Sequence, residues 1–414
     1  MSDIYLAKIV GTEGFQKPLV IKKLLPQYSS KPSFVKRFLN EAKTLSRLNH
    51  SNLVHILDMG IIDGEYYIAL EYIEGRNVAH IISKATKTGR LPSLGFVWHV
   101  VTQLGRGLAY AHKKKGESGE SLMLVHQDIN SFNVMVSYEA EVKIIDFGIA
   151  QIFLDKQTAD GLPVAGKLLY FSPEQLQRKP VDRRVDIYGT GVLTYELLTG
   201  QRLVDHQETV QDTVKAILEM DVKAKVQGNV KIRDEVKPIL IRAMAFDPED
   251  RYAWMEEMLQ DIRAVTKTCE LDENPAEFST YMNELFHREI LLDRRRMRKL
   301  IAENLPARTE AAARRTVPVA AGRSIETGLV VARNLLASRW PFEEIAESLI
   351  AQGQHAPRTL SLSAGKSIFR QGEPGTEVYV IERGRVRIIL QSGKIRQTIA
   401  ILGPGDFFGE SALV

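Results

Sequence analysis

Two β-rich runs open the chain, "DIYLAKIV" and "PLVIKKLL". They are separated by "GTEGFQK", whose two glycines suit a hairpin turn. "SFVKRFLNEAKTLSRL" then places Phe34, Phe38, Leu39, Ala42 and Leu45 at helical spacing, with Ser33 positioned to cap the helix. "LVHILDMGIIDGEYYIALEYI" returns to strand character around a turn at Asp63-Gly64. From Gly75 onward the pattern is helical. "SLGFVWHVVTQLGRGLAYAHKK" is long and apolar enough for a buried helix, and "VDIYGTGVLTYELLTG" is a second one, stopped by Gly200. A small sheet-rich part followed by a larger helical part predicts two lobes with a site in the cleft between them.

Past residue 265 the pattern changes. "AEFSTYMNELFHREILLDRRRMRKLIAENL" predicts one amphipathic helix. "PARTEAAARRTVPVAAGRS" is rich in Ala, Arg and Pro and reads as a flexible linker, followed by the helical stretch "PFEEIAESLIAQ". "TEVYVIERGRVRIILQSGKIRQTIAIL" predicts strands turning at Gly384 and Gly393. Val386, Ile388 and Leu390 alternate there with Arg385, Arg387 and Ile389. The division this implies is a lobe at 1–73, a second lobe at 74–265, a helical and partly flexible linker at 266–356, and a separate β domain at 357–414.

Composition narrows the field. With 414 residues the chain can hold several cores, and 44% hydrophobic with 26% charged residues is ordinary for a soluble globular protein. A formal charge of +4 over this length gives no reason to expect a nucleic-acid partner. The short basic run Asp293 to Lys299 reads as a solvated helix face. Cys269 is the only cysteine, so an intrachain disulfide is excluded and a reducing compartment fits. No apolar run approaches the about 18 residues of a membrane span, and "MSDIYLAK" lacks the features of a secretion signal. The expectation is a cytoplasmic protein without a membrane partner.

The chemistry sits in "HQDINSFN", His126 to Asn133, and "IIDFGIA", which includes Asp146. Taken with "LVIKK", "FLNEAKTL", "IALEYIEG", "YFSPEQ", "VDIYGTGV" and "DPEDRY", in that functional set, the first 260 residues resemble a bacterial eukaryotic-type Ser/Thr protein kinase. The resemblance implies an α+β, bilobal kinase fold using ATP and Mg²⁺. Lys22 would neutralise the α- and β-phosphates and Glu41 would pair with it. Asp128 would orient the substrate hydroxyl and take its proton, while Asn133 and Asp146 would hold magnesium. Ile4, Val20, Leu70, Glu71, Ile73 and Met135 would surround the nucleotide, with Leu70 as gatekeeper. Glu174 would pair with Arg251, Asp186 would brace the catalytic loop, and His126 would pack structurally. Protein Ser/Thr hydroxyls would be the substrate, a choice that rests on the look of "GKLLYFSPEQ".

Three departures accompany the match. Gln127 stands where most kinases carry an Arg that receives an activation-segment phosphate, so activation by that route is not expected. Thr158, Tyr170 and Ser172 then read as structural or incidental hydroxyls, Thr158 being the one candidate for modification. Asn130 stands where Ser/Thr kinases carry a Lys that touches the transferring group, a loss worth about 10²–10³ in rate. The family's Gly-rich loop should precede "IYLAK"; Ile4 matches its last Val and Ser2 falls on its third Gly. The lobe is therefore expected to lack its first strand. Either the natural start lies upstream, which the survival of Lys22, Glu41, Asp128, Asn133 and Asp146 favours, or the protein is a pseudokinase acting as a scaffold.

At the other end, "FRQGEPG", "ERGRVRI" and "GPGDFFGESAL" make residues 365–414 resemble a cyclic-nucleotide-binding domain. The resemblance implies a partial β-roll in which Gly409 approaches the cyclic phosphate of cAMP or cGMP and Glu410 accepts the ribose hydroxyl. A cupin-like roll whose glycines serve only turns is the alternative. The expected Arg for the phosphate falls past Val414, so both ends look cut inside motifs and the β domain as given would hold ligand weakly. "ARRTV", Ala313 to Val317, reads as solvated linker, with an autophosphorylation or pseudosubstrate role as the lesser alternative.

Overall fold

The computed structural model describes residues 2–10, 15–62, 64–116, 118–147, 168–205, 207, 209–271 and 274–302, without the side chains of 37 and 41, and five strand segments beyond them in backbone only. The chain divides into two compact units, Met1–Leu335 and Leu336–Val414.

In the first unit, β1 (Ser2–Val10) and β2 (Gln16–Leu24) form the expected hairpin, with Ile4 opposite Lys22 and Leu6 opposite Val20. A single turn, α1 (Pro26–Ser29), leads to α2 (Pro32–Ser46). Ser33 does not cap α2. Lys31 occupies the N-cap without a side-chain bond, and Pro32, whose missing N–H costs nothing at this position, starts the helix two residues earlier than a Ser33 cap would. β3 (Ile56–Ile62) and β4 (Glu65–Glu71) complete an antiparallel sheet in the order β3-β4-β2-β1. Its outer edge beside β1 is paired at Lys8–Val10 by β8 (Gly328–Val330).

Strand alternation sorts this sheet into two faces. Ala7, Leu19, Ile21, Tyr67 and Ala69 form a small cluster on one side. Leu24, Ile68 and Leu70 face the other way and join Phe38, Ala42 and Leu45 of α2 in the main core. Lys22 belongs to this second face, which is the side toward the larger lobe.

That larger lobe begins with β5 (Gly75–Asn77), α3 (Val78–Thr88) and α4 (Leu94–His112), the last two capped by Asn77 and Ser93. β6 (Val134–Ser137) and β7 (Val142–Ile144) pair with β5 in a three-stranded sheet. α5 (Pro173–Leu176), α6 (Arg184–Thr199), α7 (Val210–Leu218), α8 (Val222–Gln227), α9 (Lys237–Ala243) and α10 (Met255–Thr268) build the rest. α6 is apolar or small on all sides and nearly every residue in it is buried, which marks it as the axis of the lobe. Gly189 allows α6 to touch the loop above it, since a Cβ there would lie 2.9 Å from the Ile129 carbonyl oxygen. Gly200 ends the helix at φ +67°, as its sequence position predicts.

The expected single helix after residue 274 is two, α11 (Pro275–Leu285) and α12 (His287–Ala302). The break falls at Phe286, at φ −115° and ψ 24°. Its side chain is buried, with its ring near His80 and Tyr138. Burial of that aromatic ring outweighs helical continuity.

The second unit contains β9 (Tyr379–Val380), β10 (Val386–Ser392), β11 (Ile395–Leu402) and β12 (Phe407–Phe408). β10 pairs antiparallel with β11, and β12 with β9, so the period-two run does form a hairpin.

The ion pair between Glu174 and Arg251 forms as anticipated, bidentate at 2.7 and 2.8 Å with both side chains buried. Arg251→Met leaves that carboxylate buried without its cation. Stability should fall by about 3–5 kcal/mol, read as a lower urea midpoint. A change below about 1 kcal/mol would show the pair to be dispensable.

Candidate functional site

The loop that carries the candidate chemistry runs from His126 to Asn133 between α4 and β6, and a buried carboxylate holds it. Asp186, in the first turn of α6, accepts the backbone N–H of His126 at 2.8 Å and of Gln127 at 2.7 Å. His112 Nε2 approaches the same carboxylate at 2.8 Å. Three donors and a helix N-terminus offset the cost of burying the charge. The expected brace is therefore present, and it holds Gln127 at φ +63°, a left-handed conformation costly for a residue with a Cβ.

With the loop anchored, its polar side chains organise one another. Asp128 is buried, and its Oδ2 accepts from Asn133 Nδ2 at 2.9 Å while its Oδ1 accepts from Asn130 Nδ2 at 2.9 Å. Both amides also donate to the Asp128 carbonyl, at 2.8 and 3.0 Å. Asn130 Oδ1 in turn accepts from the backbone N–H of Phe132 and Asn133. Asn130 thus shapes the loop around Asp128, a task a lysine at this position could not perform because it has no acceptor. His126 plays the packing role anticipated, its ring edge-on to Phe147 with centroids 4.7 Å apart and Nε2 3.2 Å from the Ile145 carbonyl.

Asn133 and Asp146 are brought together by backbone pairing, since Ile145 N donates to the Asn133 carbonyl at 2.9 Å. Asp146 itself sits at φ +58°. Its Oδ1 lies 2.6 Å from Lys22 Nζ, a contact from the small lobe's sheet to the large lobe's loop. The Lys22 side chain is only 4% exposed, so solvent screens this pair weakly. Lys22, Asp146, Asn133 and Asp128 therefore meet at one cleft. Glu41 lies in α2, and its side chain falls outside the described residues.

The residues expected around the nucleotide line the same side. Val20 pairs across the sheet with Leu70 and with Leu6, and Ile4 with Lys22. Leu70 is buried, Val20 and Ile73 are half-buried against the core, Met135 is half-buried on β6, and Ile4 is 39% exposed. The Glu71 carboxylate points elsewhere, bonded to Lys143 at 2.8 Å and to the His55 N–H at 2.9 Å, while its own N–H donates to the His55 carbonyl at 3.0 Å. Thr158, Gly409 and Glu410 lie outside the described residues.

Two groupings escape motif reading. Gln175 Oε1 accepts from Ser172 N at 3.0 Å, and its Nε2 donates to the Gln127 carbonyl at 2.9 Å, linking "SPEQ" to the catalytic loop without any charge. Tyr170 is buried, with its hydroxyl 2.6 Å from Ser131 Oγ and bonded to Glu196. Burial pushes the Glu196 carboxyl up to about 7 and outweighs the opposing Tyr170 hydrogen bond and Arg202 charge. The signal for both lay in pairings between residues 26 to 48 positions apart, which no local pattern exposes.

Comparison with known proteins gives matches in both parts of the chain. The protein kinase domain family matches residues 9–262, and the cyclic nucleotide-binding domain family matches residues 359–414. Tyrosine-protein kinase MasK of Myxococcus xanthus is 37% identical over 256 residues, covering 62% of this chain and 40% of that protein. Serine/threonine-protein kinase PrkC of Bacillus subtilis is 30% identical over 273 residues, covering 66% and 40%. Serine/threonine-protein kinase pkn3 of Myxococcus xanthus is 31% identical over 277 residues, covering 64% and 48%. The chain thus spans less than half the length of each of these relatives.

The raised Glu196 carboxyl makes stability depend on pH. A carboxylate disfavoured in the folded state contributes stability that is present below pH 4.5 and lost as pH rises through about 7. Glu196→Gln should flatten the stability–pH curve across that window by on the order of 3 kcal/mol, measured by urea unfolding at pH 5 and pH 8. Identical slopes in both proteins would show that Glu196 titrates normally.

Proposed function

We propose that this chain, which belongs to the protein kinase domain family, is the catalytic part of an ATP-dependent protein kinase that acts on Ser/Thr hydroxyls. The observation that carries the reading is the 2.6 Å contact of Lys22 with Asp146, with Asp128 and Asn133 on the adjacent loop.

In this reading the adenine lies under Val20 and beside Leu70 and Ile73, with backbone groups of Glu71 to Ile73 fixing its edge. Lys22 balances phosphate charge. Asp128, oriented by two amides, accepts the proton of the attacking hydroxyl as that oxygen bonds to the γ-phosphorus. The bond from γ-phosphorus to the bridging oxygen breaks and ADP carries away the electron pair. The amides of Asn130 and Asn133 fix the carboxylate so that little reorganisation accompanies the step.

Asp146 and Asn133 are the residues that would hold magnesium. One carboxylate and one amide oxygen suit an ion that takes its remaining ligands from phosphate and water. Among the described residues no cluster of three or more His, Cys, Asp or Glu competes with this pair. When bound, the ion would offset the negative charge of the phosphates.

Gln127 cannot make the charge-assisted contact that would receive a segment phosphate, so activation by segment phosphorylation is not expected, and Gln175 ties the segment end to the Gln127 carbonyl. The binding-only scaffold has no observation in its favour. Transfer to tyrosine is a second reading, favoured by the 37% identical relative whose name assigns it tyrosine specificity. The match of residues 359–414 supports a sensor for a cyclic nucleotide in the parent protein, with Gly409 and Glu410 as contacts. Among the described residues no helix is long and apolar enough to cross a membrane.

With radiolabelled ATP and magnesium, label should enter protein and fall by at least about 10²-fold in Asp128→Asn. Phosphoamino-acid analysis should return phosphoserine or phosphothreonine, whereas phosphotyrosine alone would establish the second reading. Incorporation unchanged by Asp128→Asn would overturn the mechanism. Calorimetry of the parent protein with cAMP and cGMP should show heat with one of them, and silence with both would remove the sensor.

A further inference from the structure

We infer that α11 and α12 form a strap that joins the two lobes and sets the position of the small lobe over the nucleotide cleft. Both helices lie beyond residues 9–262, the part matched to the kinase family. Their role in the reaction is positioning. For the ligand the inference rests on the nucleotide reading above; for the strap it rests on geometry alone.

The anchor is on the large lobe. Phe278 and Tyr281 of α11 pack edge-on against Phe96 of α4, with centroids 5.9 and 4.9 Å apart. Ser279 Oγ and Asn283 Nδ2 donate to the Tyr138 carbonyl at 2.9 and 3.0 Å. At the start of α12, Glu289 pairs with Lys84 of α3. One turn on, Asp293 Oδ2 accepts from Arg76 Nη1 at 2.7 Å and from the Tyr138 hydroxyl at 2.9 Å. The Asp293 side chain is only 11% exposed, so this pin is worth more than a surface ion pair. It also acts on the hinge. Burial, then the Asp293 and Glu74 carboxylates, push the Tyr72 hydroxyl up to about 12.

The tip is on the small lobe. Leu300 is fully buried, with Leu6 of β1 and Met297 packed against it. Lys8 Nζ donates to the Ile301 carbonyl at 3.1 Å, one of the helix-end carbonyls that lack a partner within α12. The hairpin register places Leu6 opposite Val20 and Lys8 opposite Pro18, and alternation puts both on the face that carries Lys22. The tip therefore braces the cleft's roof at its hinge end. From Asp293 to Ile301 the helix rises about 12 Å, and a continuous helix over that length is stiff. Its two contacts fix the distance between the lobes.

The two ends differ in strength. Among the described residues, aromatic packing and several ion pairs hold the anchor, while Leu300 packed on Leu6 and Met297 and the Lys8–Ile301 carbonyl bond hold the tip.

Leu300→Asp in the full 414-residue chain tests this. Amide exchange of residues 2–10 and 72–75 should accelerate while α4 stays protected, which reports an intact fold. The dissociation constant for magnesium-ADP should rise about tenfold, equivalent to about 1.4 kcal/mol of lost preorganisation. Lys8→Met should move both readouts the same way, and Lys8→Arg, which keeps a donor, should restore them. Exchange in β1 and nucleotide affinity both unchanged in Leu300→Asp would overturn the strap. A wild-type chain that binds no nucleotide would defeat the kinase reading instead, and exchange in β1 would still report on the strap.

Discussion

A single contact between the lobes organises this molecule. Lys22 projects from the central strand of the small lobe's sheet and meets Asp146 at the end of β7 in the large lobe. The lysine is nearly buried, 4% exposed against 30% for the aspartate, so its charge gains from a carboxylate at 2.6 Å. The two lobes are thereby drawn into register around a shared need for charge balance. A polyanionic ligand with its cation would satisfy the same need, which is the role proposed for this pair.

The same economy runs through the catalytic loop. Asp186 sits below it, Asn130 and Asn133 within it and Gln175 beside it, so the loop's geometry is set by neutral donors and two buried carboxylates, Asp186 and Asp128. Polar groups in low dielectric are strong when paired and costly when not, which makes such a loop rigid by default.

Much of this was legible beforehand where a residue's task is local or its motif is short. The β1–β2 hairpin, α4 and the stop at Gly200 follow from patterns a few residues long, while the Asp186 brace and the Glu174–Arg251 pair, which join distant residues, came from the family resemblance. The misses share a cause. Ser33 looked like a cap because capping is read from residue type, yet Pro32 moved the start of the helix. The region after residue 274 reads as one amphipathic helix because Phe286 fits the helical spacing; only the pocket made by His80 and Tyr138 breaks it. Asp293 lies in a basic run that reads as a solvated face, and its partner Arg76 is 217 residues away. Tertiary electrostatics of that reach leave no trace in a window of sequence.

Titration of the protein with ATP by calorimetry, with magnesium and with magnesium chelated, tests the central claim most directly. The account predicts saturable binding that weakens when magnesium is removed and is lost in Lys22→Met. Binding indifferent to both magnesium and Lys22, or no binding at all, would contradict it.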